Sequence, residues 1–288
     1  ATISKIILNG NTNTSDHVVL REILTKPGQK FSKTDLVETV QILSKLGYFD
    51  PQKIEPKPIP QADGTVNIEY NVEEKSNDNI ELSGGWSGTF GIVFNNFAIR
   101  KIFDLKEYRP LPKGDGQRFA IRVQANGGFQ NYSISFTEPW LGGKKPNSFS
   151  VSLFHSVQDY SKIAERMNRY YSSSAYGNYY GSMYNSALYQ GFFRNTGGSI
   201  TYGKRLNWPD RNFNLSSALS YQYYDVSKSI LLSNFQNGQA HDITLGLNIS
   251  RYNLDNPQFT RSGSNISLNA TFNPPYSLFG QQTGSKLW

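Results

Sequence analysis

The chain has no cysteine among its 288 residues and only three histidines, His17, His155 and His241. Without cysteine it can form neither a disulfide framework nor a thiolate metal or redox centre. The histidines are well separated in the sequence, which does not favour a metal site built from imidazole ligands. We therefore expect no metal and no cofactor.

The sequence also lacks any run of 18 or more apolar residues, so it offers no candidate transmembrane helix. The mean hydropathy is −0.52. This value leaves both a soluble protein and a membrane barrel open, because barrel strands alternate apolar with polar residues and average out as hydrophilic. The 18 tyrosines and 18 phenylalanines favour strands over helices. Residue 1 is alanine and no signal peptide follows, as expected of a mature or trimmed chain.

Catalytic motifs are scarce. Gly85-Trp86-Ser87-Gly88 only approaches a nucleophile elbow, and Gly114-Asp115-Gly116 lacks the rest of a phosphate loop. The sequence leaves open a triad around His155 or His241, although lone histidines in strands are usually structural. The net charge of +7 is spread along the chain rather than stacked on one helix face. We expect neither an enzyme nor a nucleic-acid-binding protein.

Residues 1–75 read as a small α+β domain with the order β-α-α-β-β. Ser15 is placed to cap a helix over DHVVLREIL, which should end near Pro27-Gly28. Ser32 and Asp35 resemble a capping box for a second helix, which should end at Gly47. Strands over 53–60 and 65–74 should then form a hairpin around Ala62-Asp63-Gly64.

From Asn79 the helical pattern gives way to alternating residues in runs of about 9–11, the length that a tilted strand needs to cross a bilayer. We predict nine strands, beginning near Asn79, Phe90, Arg118, Asn131, Ser148, Gly198, Asn212, His241 and Ser264.

A soluble β-sandwich also alternates, but the order of the connections favours a membrane barrel. The connections over 207–212 and 256–263 are short, whereas those over 159–197 and 227–240 are long. Short turns on one side and long loops on the other are typical of outer-membrane barrels. Trp140 and Trp208 fall at strand ends, where we expect them to anchor the membrane interface.

Four motifs carry a resemblance to a known family. They are GYFD at 47–50, PLPKGDGQRF at 110–119, YSISFTEPWLGGKKP at 132–146 and NLDNPQFTRSGS at 253–264. Together with the β-α-α-β-β module that precedes the alternating strands, they resemble the BamA-type outer-membrane assembly family. The resemblance implies a polypeptide-transport-associated (POTRA) domain over 1–76 in the periplasm. Residues 77–288 would then be the first nine strands of a bacterial outer-membrane barrel of about sixteen, within a longer chain.

The resemblance implies a non-enzymatic insertase that folds and inserts β-barrel proteins into the outer membrane. Its partners would be unfolded barrel clients, accessory subunits (periplasmic lipoproteins or surface partners) and outer-membrane lipid. The expected site is a lateral seam where the first barrel strand templates client strands; it comprises Asn79, Ile80, Glu81, Leu82, Ser83, Gly84 and Gly85. Paired glycines weaken such a strand, although they could also simply permit a bend. A POTRA-barrel secretion pore and a passive solute channel are the alternatives.

Two further segments have alternative interpretations. The tyrosine-rich stretch 160–189 is predicted to be an ordered surface loop, with a docking surface as the second possibility. The basic stretch 100–113 is predicted to be a solvated periplasmic turn, with docking of accessory subunits or anionic lipid as the second possibility.

Overall fold

The structure is a computed structural model that describes residues 1–75, 78–83, 87–108, 111–171, 191–210, 212–228, 237–254 and 260–274. The chain forms two compact units. The first comprises 1–79 with 93–119, and the second comprises 80–92 with 120–288. These units do not test the predicted domain boundary between residues 76 and 77, which stays a prediction.

The first unit contains the predicted order of elements. These are β1 (Ile3–Asn9), α1 (Asp16–Leu20), α2 (Lys33–Lys45), β2 (Glu55–Pro60) and β3 (Val66–Asn71). The strands form a sheet in the order β1-β3-β2, with β1 parallel and β2 antiparallel to the central β3. The two helices contribute Val19 and Leu43 to the core, where they join Phe49 from the connection after α2 and Ile68 and Tyr70 from β3.

Helix α2 begins and ends where its sequence signals predict. The Ser32 hydroxyl accepts a hydrogen bond from the Asp35 backbone N–H at 3.2 Å, which satisfies one of the free amides of the first turn. At the other end Gly47 adopts a φ of 78°, a left-handed conformation that glycine reaches without steric cost.

Helix α1 is shorter than predicted, because it stops at Leu20 instead of continuing towards Pro27. The Leu24 N–H donates to the Thr39 hydroxyl at 3.2 Å, and the Thr25 hydroxyl lies 2.8 Å from the Tyr70 hydroxyl. These tertiary bonds replace the continuing helical ladder. The predicted Ser15 side-chain cap is also wrong, since that side chain makes no capping bond; the Ser15 N–H donates to the Gly114 carbonyl instead.

The β2–β3 hairpin is shorter than predicted but turns at the predicted residues. Residues 51–53 form a 3-10 turn, so β2 begins only at Glu55, and β3 ends at Asn71. The Gln61 N–H donates to the Thr65 carbonyl at 2.9 Å. Because amides alternate sides along a strand, the nitrogens of Pro56, Pro58 and Pro60 face away from β3. The outer edge is therefore built as predicted, and its resistance to an added strand stays a prediction.

The segment 93–119 is an integral part of the first unit. The Asn96 side-chain amide donates to the Thr14 hydroxyl at 2.9 Å, and its oxygen accepts from the Gly116 N–H at 2.9 Å; both bonds are buried. The Tyr48 hydroxyl donates to the Gly116 carbonyl at 3.0 Å. Gly116, at a φ of 70°, thus serves a structural turn, a role that the sequence did not reveal.

The described residues also form one nine-stranded sheet, as predicted, whose strands follow one another in chain order. Its strands are β4 (Asn79–Ser83), β5 (Ser87–Phe97), β6 (Gln117–Asn126), β7 (Phe129–Glu138), β8 (Asn147–Asp159), β9 (Phe192–Arg205), β10 (Phe213–Ser227), β11 (Gly238–Leu254) and β12 (Gly263–Phe272). The pairs from β7 to β12 are all antiparallel. Several strands exceed the predicted length, with β11 reaching 17 residues, because the hydrogen-bonded ladders continue beyond the apolar alternation.

The predicted loop over 159–197 is wrong at both ends. A helix, α3 (Tyr160–Tyr171), follows β8 directly, and β9 already begins at Phe192. The Asp159 carboxylate accepts from the Lys162 N–H at 3.2 Å at the start of this helix. A Cβ placed on Gly128 would lie 2.2 Å from Ile163, so this glycine lets α3 pack against the β6–β7 turn. None of the described helices is long and apolar enough to span a membrane.

Candidate functional site

Strand β4 is the first edge of the nine-stranded sheet and contains five of the predicted seam residues, Asn79 to Ser83. All five residues are exposed. Ile80 and Leu82 are 67% and 75% exposed, so two apolar side chains point away from the sheet into the surroundings. Gly84 and Gly85, the remaining seam residues, lie outside the described residues.

On the other face of β4, Glu81 forms an ion pair with Arg122 across Gly91 of the neighbouring strand. The Glu81 carboxylate lies 3.4 Å from the Arg122 guanidinium on β6, with half of each side chain exposed. Gly91 on β5 lies between them; a Cβ there would come within 3.1 Å of Glu81 and 3.4 Å of Arg122. The missing side chain at Gly91 therefore leaves room for Glu81 to reach Arg122.

One face of the sheet carries apolar side chains in register across five strands. Val151, Ile200, Leu219, Leu245 and Phe272 are successive cross-strand partners from β8 to β12. The last four are exposed, and further apolar residues flank the row on each strand. An exposed apolar surface of this extent is typical of a membrane or protein interface.

The other face carries hydroxyl groups in the same way. Ser135, Ser152, Ser199, Ser220 and Thr244 are successive partners from β7 to β11. The hydroxyls of Ser152 and Ser199 lie 2.7 Å apart and bond to each other. Small hydroxyl side chains in register suit a water-filled interior, as the alternating sequence predicts.

The two strand histidines belong to the apolar face rather than to a catalytic triad. His241 Nδ1 lies 2.8 Å from the Tyr221 hydroxyl, two residues along β10 from Leu219. His155 Nδ1 lies 2.7 Å from the Thr196 hydroxyl, and its ring stacks on Tyr132. Polar aromatic clusters of this kind are common where barrel strands leave the hydrocarbon. The described residues contain no group of three potential metal-ligating side chains.

Two family models match the chain. "POTRA: Surface antigen variable number repeat" matches residues 1–75, and "Omp85 superfamily domain" matches residues 113–286, which is more than half of the chain. The chain belongs to the Omp85 superfamily. Its fold class is therefore the predicted one, an α+β POTRA domain followed by an antiparallel transmembrane barrel.

Relatives of this Omp85 chain include the outer membrane protein assembly factors BamA of Neisseria meningitidis serogroup B and of Neorickettsia risticii. The first is 24% identical over 174 residues, covering 60% of this chain and 20% of the relative. The second is 29% identical over 136 residues, covering 46% and 17%. The crystal structure of BamA from Haemophilus ducreyi lacking POTRA domains 1–3 aligns with a TM-score of 0.57 at 19% identity, over 95% of this chain and 48% of that structure.

The chain thus spans about a fifth of the length of the curated relatives that it matches. The matched architecture places this Omp85 chain in a bacterial outer membrane with its POTRA domain in the periplasm, as predicted.

Trp140 and Trp208 lie in the turns that follow β7 and β9, at the same end of the sheet of this Omp85 chain. The Trp208 residue is 82% exposed. The backbone N–H of Trp140 donates to the Glu138 carboxylate at 2.8 Å. Their role as interface anchors stays a prediction.

The turn beside Trp208 is tied to β11 by a pair that the sequence did not reveal. The Asp210 carboxylate accepts from the Asn212 N–H and from Arg251 Nε, each at 2.8 Å. The hydrogen bond from the Asn212 backbone and the Arg251 guanidinium lower the pKa of Asp210 despite the opposing effect of desolvation. Arg251 lies 41 residues away in sequence, so no local motif predicts this contact.

Proposed function

We propose that this chain belongs to a non-enzymatic insertase that folds β-barrel proteins and inserts them into the outer membrane by templating client strands at a lateral seam. The observation that carries the proposal is the exposed edge strand β4, which begins the nine-stranded sheet of an Omp85 protein. The names of the relatives, outer membrane protein assembly factors, support the same activity.

The chemistry of β4 suits a seam that opens. An exposed edge strand offers unpaired N–H and C=O groups to an extended segment, which can add to the sheet by β-augmentation. β4 has five residues, whereas β10 and β11 pair from Phe213 to Val226. Its described ion pair, Glu81 with Arg122, connects β4 to β6 of the same sheet, so separation of β4 from the strand that closes the barrel would leave this pair intact. A strand of five residues also offers few hydrogen bonds to a closing strand, so little free energy opposes their separation.

The two faces of β4 would also orient the client. Ile80 and Leu82 continue the apolar side, whereas Glu81 and Ser83 take the other side of the strand. A client strand with matching alternation would place its own apolar residues towards lipid in one register. A shift of one residue in the pairing register would turn the apolar residues of the client strand towards the lumen. Neither nucleotide hydrolysis nor a metal ion is part of the proposed mechanism.

Disulfide trapping tests the proposal, since residues 1–288 contribute no cysteine that would interfere. A cysteine at Ser83 of the complete protein should crosslink to a cysteine in the terminal strand of a client during assembly. Ser83 is preferable to Glu81, because Glu81 is engaged with Arg122. Ser152→Cys provides the matched control, since β8 is flanked on both sides by β7 and β9 and should capture no client.

A permanent tether separates an opening seam from a static edge. Linking position 83 to the strand that closes the barrel should stop client assembly; normal assembly by the tethered protein would refute lateral opening. Depletion of the protein separates the three functions. Loss of many outer-membrane barrels supports assembly, loss of one secreted protein supports export, and altered solute uptake alone supports a channel.

A further inference from the structure

The segment between β5 and β6 presents apolar side chains to solvent. Phe103 is 94% exposed and Leu105 is 83% exposed. Ile99, Ile102 and Tyr108 of the same segment are also exposed, although less so. We refer to residues 99–108 as the apolar turn. Two such fully protruding apolar side chains are unfavourable in water and indicate a surface that is covered in the working protein.

The apolar turn is held in shape by its own hydrogen bonds. The Lys106 N–H donates to the Asp104 carboxylate at 3.1 Å, the Asp104 N–H donates to the Lys101 carbonyl at 3.0 Å, and the Tyr108 hydroxyl donates to the Ile102 carbonyl at 2.7 Å. Residues 99–101 and 105–107 form 3-10 turns. Phe103 and Leu105 therefore protrude from a turn that is already ordered. Contact with a partner would cost the turn little further conformational entropy.

Basic residues lie among these apolar side chains. Arg100, Lys101 and Lys106 are within six residues of one another, beside the acidic Asp104 and Glu107. The Arg100 side chain is 81% exposed, and its Nε lies 4.0 Å from the Asp115 carboxylate. Apolar side chains interleaved with lysine and arginine are typical of segments that lie in the interface of an anionic membrane. The cations contact headgroup phosphates while the apolar groups enter the acyl boundary.

Covalent connectivity leaves the apolar turn within reach of the membrane. Phe103 follows Ile92, the last residue of β5 that belongs to the second unit, by eleven positions, so at most about 40 Å of chain separates the two residues. The turn belongs to the same compact unit as the POTRA domain, which is periplasmic. The leaflet within reach is therefore the periplasmic leaflet, whose lipids are phospholipids.

We propose that the apolar turn is a membrane-surface anchor, in which Phe103 and Leu105 insert into the periplasmic leaflet and Lys106 contacts anionic phospholipid. A protein partner is less favoured by area. Phenylalanine buries about 150–250 Å² and leucine adds less, whereas a stable protein interface needs about 800 Å² from each side. Insertion into a lipid surface requires no such minimum contact area.

The test uses the complete protein in vesicles of phosphatidylethanolamine mixed with either phosphatidylglycerol or phosphatidylcholine. A polarity-sensitive fluorophore on Leu105→Cys reports burial, with brominated lipids as quenchers from the membrane and iodide as the quencher from water. We expect a blue shift, bromolipid quenching and iodide protection, all stronger with phosphatidylglycerol. The same label on Ala62→Cys, an exposed hairpin position of the same unit, should remain accessible to iodide.

Two variants in the labelled background separate the apolar and ionic contributions. Phe103→Ser should shift the label towards water in both lipid mixtures. Lys106→Gln should lower the ratio of buried to exposed label about fivefold in phosphatidylglycerol, the effect of one basic charge near an anionic surface at low salt. It should have little effect in phosphatidylcholine. Unchanged heat-modifiable migration on gels would show that each variant still folds its barrel.

Three outcomes would contradict the proposal, the first two as a whole and the third in its ionic part. A label that stays quenched by iodide and unaffected by bromolipid excludes insertion. A label that becomes buried only when accessory subunits are added assigns the turn to a protein partner instead. Equal burial in the two lipid mixtures would remove the anionic lipid from the proposal.

Discussion

Glu74 shows how one carboxylate organises the loop between β1 and α1. It accepts hydrogen bonds from the backbone N–H groups of Asn13, at 2.9 Å, and of Thr14, at 2.6 Å, and from the Thr12 hydroxyl at 2.9 Å. Desolvation would raise the pKa of Glu74, but the hydrogen bonds from Thr14, Asn13 and Thr12 outweigh it and lower the pKa. The charged form is therefore the one that stabilises this unit.

The lowered pKa fixes the sign of a pH dependence. Since the folded state favours ionised Glu74, its contribution is present above the ordinary glutamate pKa of 4.5 and is lost as the pH falls through the lower, folded-state value. Glu74→Gln should lower the stability of the first unit at pH 7 by about 1–2 kcal/mol, because amides bonded to a charged acceptor lose it. The variant should also lack this acid-dependent loss.

Calorimetry of the complete protein measures both effects, through the melting transition of the first unit between pH 7 and pH 3. Glu73→Gln is the matched control, since the Glu73 side chain is 64% exposed and pairs with exposed Lys53. An equal fall in melting temperature for the two variants would show that the Glu74 hydrogen bonds add nothing specific.

Among the secondary-structure elements, β4 depends on a residue that belongs to its neighbour. Gly91→Val should push Glu81 away from Arg122, because even a Cβ at position 91 would lie 3.1 Å from the Glu81 carboxylate. The Glu81–Arg122 pair is half exposed, and loss of such a pair costs about 1 kcal/mol or less. If the pair holds β4 in place, amide exchange over 79–83 should become up to about fivefold faster.

Gly88→Val provides the control, because Gly88 lies on β5 with Gly91 and a Cβ there would meet only the Ala125 carbonyl oxygen, at 3.6 Å. Hydrogen exchange of both variants, resolved by mass spectrometry, decides the matter. Equal exchange over 79–83 in the two variants would mean that the Glu81–Arg122 pair does not hold the edge.

The elements that the sequence predicts well are those whose signals are local. Helix α2 has a capping serine and a terminal glycine within its own sequence, and the nine strands are visible in their alternation. The sequence predicts too long a helix α1, because bonds from Leu24 and Thr25 to distant residues end it. It predicts a loop at helix α3, because the tyrosines and serines around this segment favour a loop.

The candidate site shows the same limit. The sequence places a weak, exposed strand at 79–83, but it does not show that Glu81 meets Arg122 across Gly91. That contact depends on the order and register of three strands. The sequence marks residues 100–113 by their charge, whereas the exposure of Phe103 and Leu105 depends on how the segment folds.

For the molecule as a whole, the chain-order sheet determines which connections share a side of the membrane. Successive strands alternate direction, so the connections after β5, β7, β9 and β11 lie at one end of the sheet and the others lie at the opposite end. The segment after β5 belongs to the periplasmic unit, which assigns the first group to the periplasm. The connection between β8 and β9, which contains α3, then faces the cell exterior.

This topology predicts which peptide bonds a protease reaches from outside. In intact cells, cleavage should occur first within Tyr170–Tyr180, most of which lies outside the described residues. Lys144-Lys145, in the turn after β7, should stay uncut. Both lysines are exposed in the structure, so only the membrane would protect them. Purified protein in detergent is the control and should be cut at Lys144-Lys145 by trypsin. Cleavage there in sealed cells would invert the topology and remove the basis for a periplasmic apolar turn.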